Sequence, residues 1–160
     1  MEVTIRDATE GDADAVAALL ADLGYPTSRD AAAARVARFA CEPASRLQVA
    51  DSADGVVGLV ATHMIPRLDD DRCSRRITDL VVAASHRRRG VGSALIAAAE
   101  REARRSGVPR LDLSSGEWRE DAYAFYARLG FATRSRGFTK RLLDGEGPAG
   151  AGPSPADDSP

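Results

Sequence analysis

The chain contains one lysine, Lys140, although lysine and arginine together number 22 in its 160 residues. Arginine therefore carries nearly all the positive charge, and Schiff-base chemistry would rest on a single amine near the end of the folded region. Histidine and cysteine are equally scarce: His63 and His86, Cys41 and Cys73. Their spacing matches no zinc motif, so no metal site is expected. The two isolated cysteines, in a sequence without a secretory signal, read as reduced, buried thiols of a cytoplasmic protein. No apolar run approaches the roughly 18 residues that suggest a membrane span. A formal net charge of -2 gives no electrostatic case for nucleic acid or an anionic membrane. The sequence also lacks a G-x-G-x-x-G dinucleotide fingerprint, a Walker P-loop and a G-x-S-x-G nucleophile elbow.

What is present suits one compact domain with a sizeable core: 44% of residues are apolar and 29% charged. Residues 3–7 alternate as a half-buried strand does. Thr9, with Asp12 three residues on, opens a helix that carries Val16, Leu20 and Leu23 and ends at Gly24. Ser28 opens a second helix with Ala32, Val36 and Phe39 at helical spacing. Residues 47–51 and 56–64 are strands joined by a hairpin at Asp54-Gly55. Residues 76–83 form a third strand of this group, where the run Leu80-Val81-Val82 suggests burial on both faces. A long helix over 91–105, closed by Gly107, follows. Then come a short strand at 111–114, a helix over 119–129 closed by Gly130, and two strands around 131–134 and 137–142. This order predicts a mixed α/β domain over residues 1–143, with about seven strands and about four helices. Residues 144–160 are Gly, Pro, Ala, Ser, Asp and Glu without apolar periodicity and read as a disordered tail.

The segment richest in chemical content is Arg87-Arg88-Arg89-Gly90-Val91-Gly92, between a buried strand and a helix. A strand-to-helix turn offers unpaired N–H groups at the positive end of the helix dipole. Gly90 and Gly92 let an anion approach that backbone closely, and a diphosphate is the natural ligand. Taken alone, two glycines before a helix are equally consistent with an ordinary turn bearing solvated arginines.

Context adds to the reading. Arg87, Gly90 and Gly92 match R/Q-x-x-G-x-G/A, the signature of the GNAT superfamily of N-acetyltransferases. The later Ala122-Tyr123-Ala124-Phe125-Tyr126-Ala127-Arg128-Leu129-Gly130-Phe131 is similar to that family's A-x-x-F-Y-x-x-x-G-F. The resemblance spans about residues 3–143. It implies an enzyme that moves the acetyl group of acetyl-CoA to an amine by direct attack in a ternary complex. By the same resemblance, the amides of Arg87, Arg88, Arg89, Gly90, Val91, Gly92 and Ser93 hold the CoA diphosphate. The strand edge Leu80, Val81, Val82 and Ala83 pairs with pantetheine. Tyr126, also beside the cofactor, protonates the departing thiolate.

The chain departs from the family pattern at two places. Arg119 stands where relatives often carry a pantetheine-binding asparagine, and Thr78 where a glutamate often serves as base. The base is left to Asp79, which strict strand alternation would turn to the opposite face from Thr78, to Glu117 through a water, or to no dedicated group; His63 and His86 are further alternatives. The acceptor pocket implied by the family draws on Tyr25, Pro26, His63, Ser135 and Arg136. The run Asp69-Asp70-Asp71 either attracts a cationic amine or is simply solvated. An antibiotic-modifying acetyltransferase and a non-catalytic acyl-CoA sensor are the alternative functions, and a homodimer is an arrangement frequent in the family.

Overall fold

The computed structural model describes residues 2–115 and 120–133. The chain divides into two units, Met1–Leu113 and Ser114–Pro160.

In the first unit, β1 (Thr4–Asp7) leads through a single 3-10 turn (Glu10–Asp12) into α1 (Ala13–Asp22). The turn is held by the Asp12 carboxylate, which accepts from the Thr9 amide at 2.8 Å and the Thr9 hydroxyl at 3.0 Å. This is the backward-reaching half of a capping box, as the Thr9–Asp12 spacing suggested. Ser28 caps α2 (Arg29–Cys41), its hydroxyl accepting from the Ala31 amide at 3.2 Å. β2 (Ser45–Ser52), β3 (Gly55–Ile65) and β4 (Ser74–Val82) form an antiparallel meander. After a second 3-10 turn (Ala84–His86), α3 (Val91–Arg105) carries the chain to β5 (Leu111–Leu113), which pairs with β4 in parallel. The sheet order is β1-β2-β3-β4-β5.

Each face of this sheet buries a different helix set. Val49, Leu59 and Val81 stand opposite one another across three strands and pack with Ala13, Val16 and Leu19 of α1 and Ala32 and Val36 of α2. On the other face Val91 and Leu95 of α3 reach Gly58 of β3. In the second unit α4 (Glu120–Arg128) half-buries Ala122, Phe125 and Tyr126, with Leu129 following. Gly130, at φ 84°, ends it in the left-handed conformation that favours glycine.

The mixed α/β class stands, with four α-helices as expected and five strands among the described residues in place of about seven. Residues 131–133 are not in a strand, and the rest of the last two expected strands, like the boundary at 143 and the tail, lies outside the described residues. Two burial expectations are corrected. Cys41 is exposed because it is the last residue of α2, on its outward side, and Cys73 is half-buried in the loop before β4. In the Leu80-Val81-Val82 run only Val81 is fully buried. β5 pairs with Arg75, Arg76 and Ile77, and among the described residues no strand pairs with the run on that side.

The β1–α1 junction is held by charge. Arg6 donates to both Asp12 oxygens at 2.8 Å and to Asp51 on β2 at 2.9 Å. The guanidinium holds the Asp12 carboxyl at about 2, below its ordinary 3.8, with the Thr9 bonds helping. A carboxyl depressed in the folded state stabilises the protein above its unfolded value and loses that contribution as pH falls through the folded one. Asp12→Asn should therefore lower stability at neutral pH by up to about 2 kcal/mol. In chemical denaturation at stepped pH, the gap between variant and wild type should close between pH 4 and pH 2.

Candidate acyl-carrier site and acceptor face

β4 changes its neighbours at Thr78. Its first half is paired on both sides, by β3 and by Leu111–Leu113 of β5. Its second half, Asp79–Val82, has β3 on one side and no strand on the other among the described residues. Between the halves the β3–β4 register shifts: Ile77 stands opposite Thr62 and Asp79 opposite Ala61, leaving Thr78 as the extra residue of a bulge. An open edge of this kind can pair with an extended amide-bearing chain as it would with another strand.

The open edge leads, through Ala83 and the 3-10 turn Ala84–His86, into the turn before α3. Arg88 at φ 60° and Gly90 at φ 85° are both left-handed, a curl that gathers successive N–H groups into a concavity. The first intrahelical bond of α3 runs from Ala94 N to Gly90 O at 3.0 Å. The amides of Val91, Gly92 and Ser93 therefore precede the helical ladder, and among the described residues no side chain caps them. A Cβ built on Gly90 would meet nothing within 4 Å, so open space lies in front of the turn. Arg87, Arg88 and Arg89 are exposed around it, with Arg87 Nε donating to Val82 O at 3.3 Å.

Gly58, which sequence patterning treats as one more strand residue, sets where this turn sits. A Cβ there would lie 2.9 Å from the Val81 carbonyl oxygen, 3.1 Å from Leu95 and 3.2 Å from Val91. Only glycine lets the first turn of α3 rest against the sheet beside β4. The signal available in sequence was a lone glycine inside a strand pattern, which marks close backbone approach.

The remaining candidates fall into two groups. On the face of α1 and α2, Ser45 stands opposite His63, and His63 opposite Arg76. The Ser45 hydroxyl lies 2.7 Å from His63 Nδ1, and Phe39 of α2 packs on the imidazole with ring centres 5.1 Å apart. Asp79 shares this face, because its partner Ala61 lies two residues from His63 on β3. Strict alternation from Thr78 fails here, since the bulge interrupts it; exposed Thr78 Oγ1 approaches the Ala61 carbonyl at 3.5 Å. Tyr25 and Pro26, both exposed, precede α2, whereas Phe39 is near its other end. Thirteen helical residues span about 20 Å, so Tyr25 and Pro26 are held well apart from His63.

The other sequence candidates make the following contacts. His86 lies 2.9 Å from Ser85 Oγ and 3.1 Å from Asp54, tying the turn after β4 to the β2–β3 hairpin. The acidic run is partly neutralised by its own neighbours: Arg67 pairs with Asp69, and Arg72 with Asp70, holding the Asp70 carboxyl down at about 2. Tyr126, half-buried in the second unit, packs against Phe125 and Phe131 at 5.2 and 5.7 Å. Arg119, Ser135, Glu117 and Arg136 lie outside the described residues. Among the described residues no cluster of three or more His, Cys, Asp or Glu side chains is placed to hold a metal, and no helix is long and apolar enough to cross a membrane.

An uncapped helix start thus follows a strand edge that is unpaired among the described residues. Residues 14–131 match the Acetyltransferase (GNAT) family. The chain is 35% identical over 143 residues to an aminoalkylphosphonate N-acetyltransferase of Salmonella typhimurium, covering 86% of this chain and 90% of that protein. Among solved structures, it is similar to one called a transcriptional regulator from Bacillus halodurans, with TM-score 0.81, 25% identity and coverage of 88% and 100%. It is also similar to an acetyltransferase of Trypanosoma brucei, with TM-score 0.76, 26% identity and the same coverage. The chain belongs to the GNAT family of acetyltransferases, whose co-substrate is acetyl-CoA. It is an N-acetyltransferase, an enzyme that transfers an acetyl group to an amine.

Two substitutions separate space from charge at this site. Gly58→Ala should force α3 off the sheet, lowering the melting temperature by roughly 3–10 °C and weakening CoA in calorimetry. Gly90→Asp should leave the core intact, because nothing surrounds the site, yet abolish CoA binding through strain at positive φ and a misplaced negative charge.

Proposed function

We propose that this enzyme acetylates a small primary amine that also carries a phosphonate or comparable anion, using acetyl-CoA in a ternary complex. The observation that carries the cofactor half is the open edge of Asp79–Val82 running into the uncapped amides of Val91–Ser93. The acceptor half is supported by the likeness to the Salmonella enzyme along nearly the whole chain.

In this reading the amides of residues 87–93 and the surrounding arginines bind the diphosphate, with the helix dipole adding to the field. Leu80–Ala83 takes the pantetheine arm as an added strand. Acetyl-CoA supplies an acyl group activated as a thioester, which a neutral amine attacks directly. A backbone amide of β4 near the bulge polarises the carbonyl oxygen as charge develops on it. Asp79, which makes no hydrogen bond among the described residues, takes the amine proton directly or through water. Tyr126 returns a proton to the departing thiolate, a task suited to a neutral phenol.

The test is thiol release from acetyl-CoA in the presence of aminomethyl- and aminoethylphosphonate, simple alkylamines, amino acids and an aminoglycoside. Steady turnover with a phosphonate-bearing amine is expected. Tyr126→Phe should keep the fold and CoA affinity while single-turnover acetyl transfer falls about 100-fold or more. Unchanged single-turnover kinetics would make Tyr126 a packing residue. CoA binding without turnover on any amine would leave a binding protein in place of an enzyme.

A further inference from the structure

The acceptor face holds a pair of opposite charges whose placement depends on the bulge. Arg76 and Asp79 are three positions apart on β4, a step that strict alternation would send to opposite faces. The extra residue Thr78 reverses that parity. Their β3 partners, His63 and Ala61, are two positions apart and share the face of α1 and α2, about 7 Å from one another. One face of the sheet thus presents a guanidinium beside an imidazole, then, one rung further along, a carboxylate at the start of the open edge.

The imidazole is held in place. Ser45 reaches Nδ1 at 2.7 Å and Phe39 covers the ring, while Nε2 makes no hydrogen bond among the described residues. In the tautomer in which the Ser45 hydroxyl donates to Nδ1, Nε2 carries a proton and is itself a donor. Arg76 is exposed beside it, and Asp79 is half-buried.

We infer that Arg76 and His63 form the anion-recognising pole of the acceptor site, and that Asp79, brought to the same face by the Thr78 bulge, is the amine pole. This rests on the acetyl-transfer reading and names the feature that selects the acceptor. A short zwitterion, with its amine two or three bonds from a phosphonate, bridges the two poles. The tetrahedral oxyanion accepts from the Arg76 guanidinium and from His63 Nε2, and the ammonium faces Asp79, beside the edge where the thioester lies. A polycationic acceptor meets a guanidinium at the far pole, which disfavours an aminoglycoside on like-charge grounds. A simple alkylamine lacks the group that Arg76 and His63 bind.

The experiment compares wild type, Arg76→Gln and Arg76→Lys on aminoethylphosphonate and on n-propylamine, with calorimetric titration of aminoethylphosphonate into the CoA complex. The melting temperature of each variant is measured alongside, so that kinetics are compared between folded proteins. In Arg76→Gln the KM for the phosphonate should rise roughly 10- to 100-fold, with kcat within about threefold. Calorimetric affinity should fall in parallel, CoA affinity and propylamine kinetics should stay as in wild type, and Arg76→Lys should recover part of the loss. His63→Ala should raise the same KM by a smaller factor. Wild-type turnover of the phosphonate that is unaffected by Arg76→Gln would overturn the anion pole and leave acetyl transfer standing. Wild-type turnover of alkylamines or aminoglycosides in preference to the phosphonate would overturn it as well, with the enzyme's chemistry intact. Failure of every amine, together with no phosphonate heat in calorimetry, would overturn both readings at once.

Discussion

The architecture depends on one interruption in backbone hydrogen bonding. β4 is an interior strand through Ile77, and beyond Thr78 it has a neighbour on one side only among the described residues. Buried amides and carbonyls need partners, so a strand that loses a neighbour must face water, a side chain or a ligand. Here the unpaired half is followed by a turn whose own amides are also outside any helical ladder. In the proposed function these two stretches in series, one suited to an amide-bearing arm and one to a phosphate, would make a continuous track. The bulge that ends the pairing also places Asp79 on the same face as His63, so the proposed cofactor track and acceptor face would share an origin at residue 78.

The track has to be held still, and α3 is fixed at its two ends by different physics. At its N-terminus the fit is steric: Gly58 leaves no room for a side chain, and Val91 and Leu95 occupy the space a methyl would need. Towards its C-terminus the contact is ionic. Glu102 accepts from Arg46 of β2 at 3.1 Å, pairs with Arg105, and lies 4.0 Å from buried Arg75 of β4. Arg75 donates to Thr62 at 3.0 Å, while its Nε has no partner among the described residues. Burial pushes the Arg75 guanidinium down, with Glu102 opposing that shift. Breaking such a cluster from one side leaves a buried charge uncompensated. Replacing Glu102 alone therefore costs more than the contact it removes.

Much of this was readable in the chain because punctuation and periodicity agree. Helix α3 runs over Val91–Arg105 as its pattern suggested, since Gly90 and Gly107 bracket it, both at positive φ. Asp54-Gly55 marked the hairpin, Ser28 the second helix cap, and Arg87, Gly90 and Gly92 the turn that faces open space. What escaped had no residue to announce it. Nothing in Ile77-Thr78-Asp79 signals a bulge, because bulges arise from the register of a partner strand, and so the sharing of one face by Arg76 and Asp79 could not be read from alternation. Leu80 and Val82 read as interior because composition reports apolarity and cannot report where a neighbouring strand stops. Arg76 carries no mark of its own in the linear sequence; that it stands opposite His63 is a property of the sheet, invisible to linear spacing.

An unpaired strand edge is also a hazard, since it offers a template on which another copy of the chain can add a strand. The edge of β4 carries three restraints that proteins commonly use against this. It is only four residues long, Asp79–Val82. The bulge at its start twists it out of line with any straight partner. At its far end Arg87, Arg88 and Arg89 stand exposed, so a second copy added in parallel would bring six guanidinium groups together. In the proposed function a flexible arm ending in a diphosphate meets none of these obstacles and is drawn in by the last of them. The same arginines would then admit the ligand to backbone groups that they help to deny to a second copy of the protein.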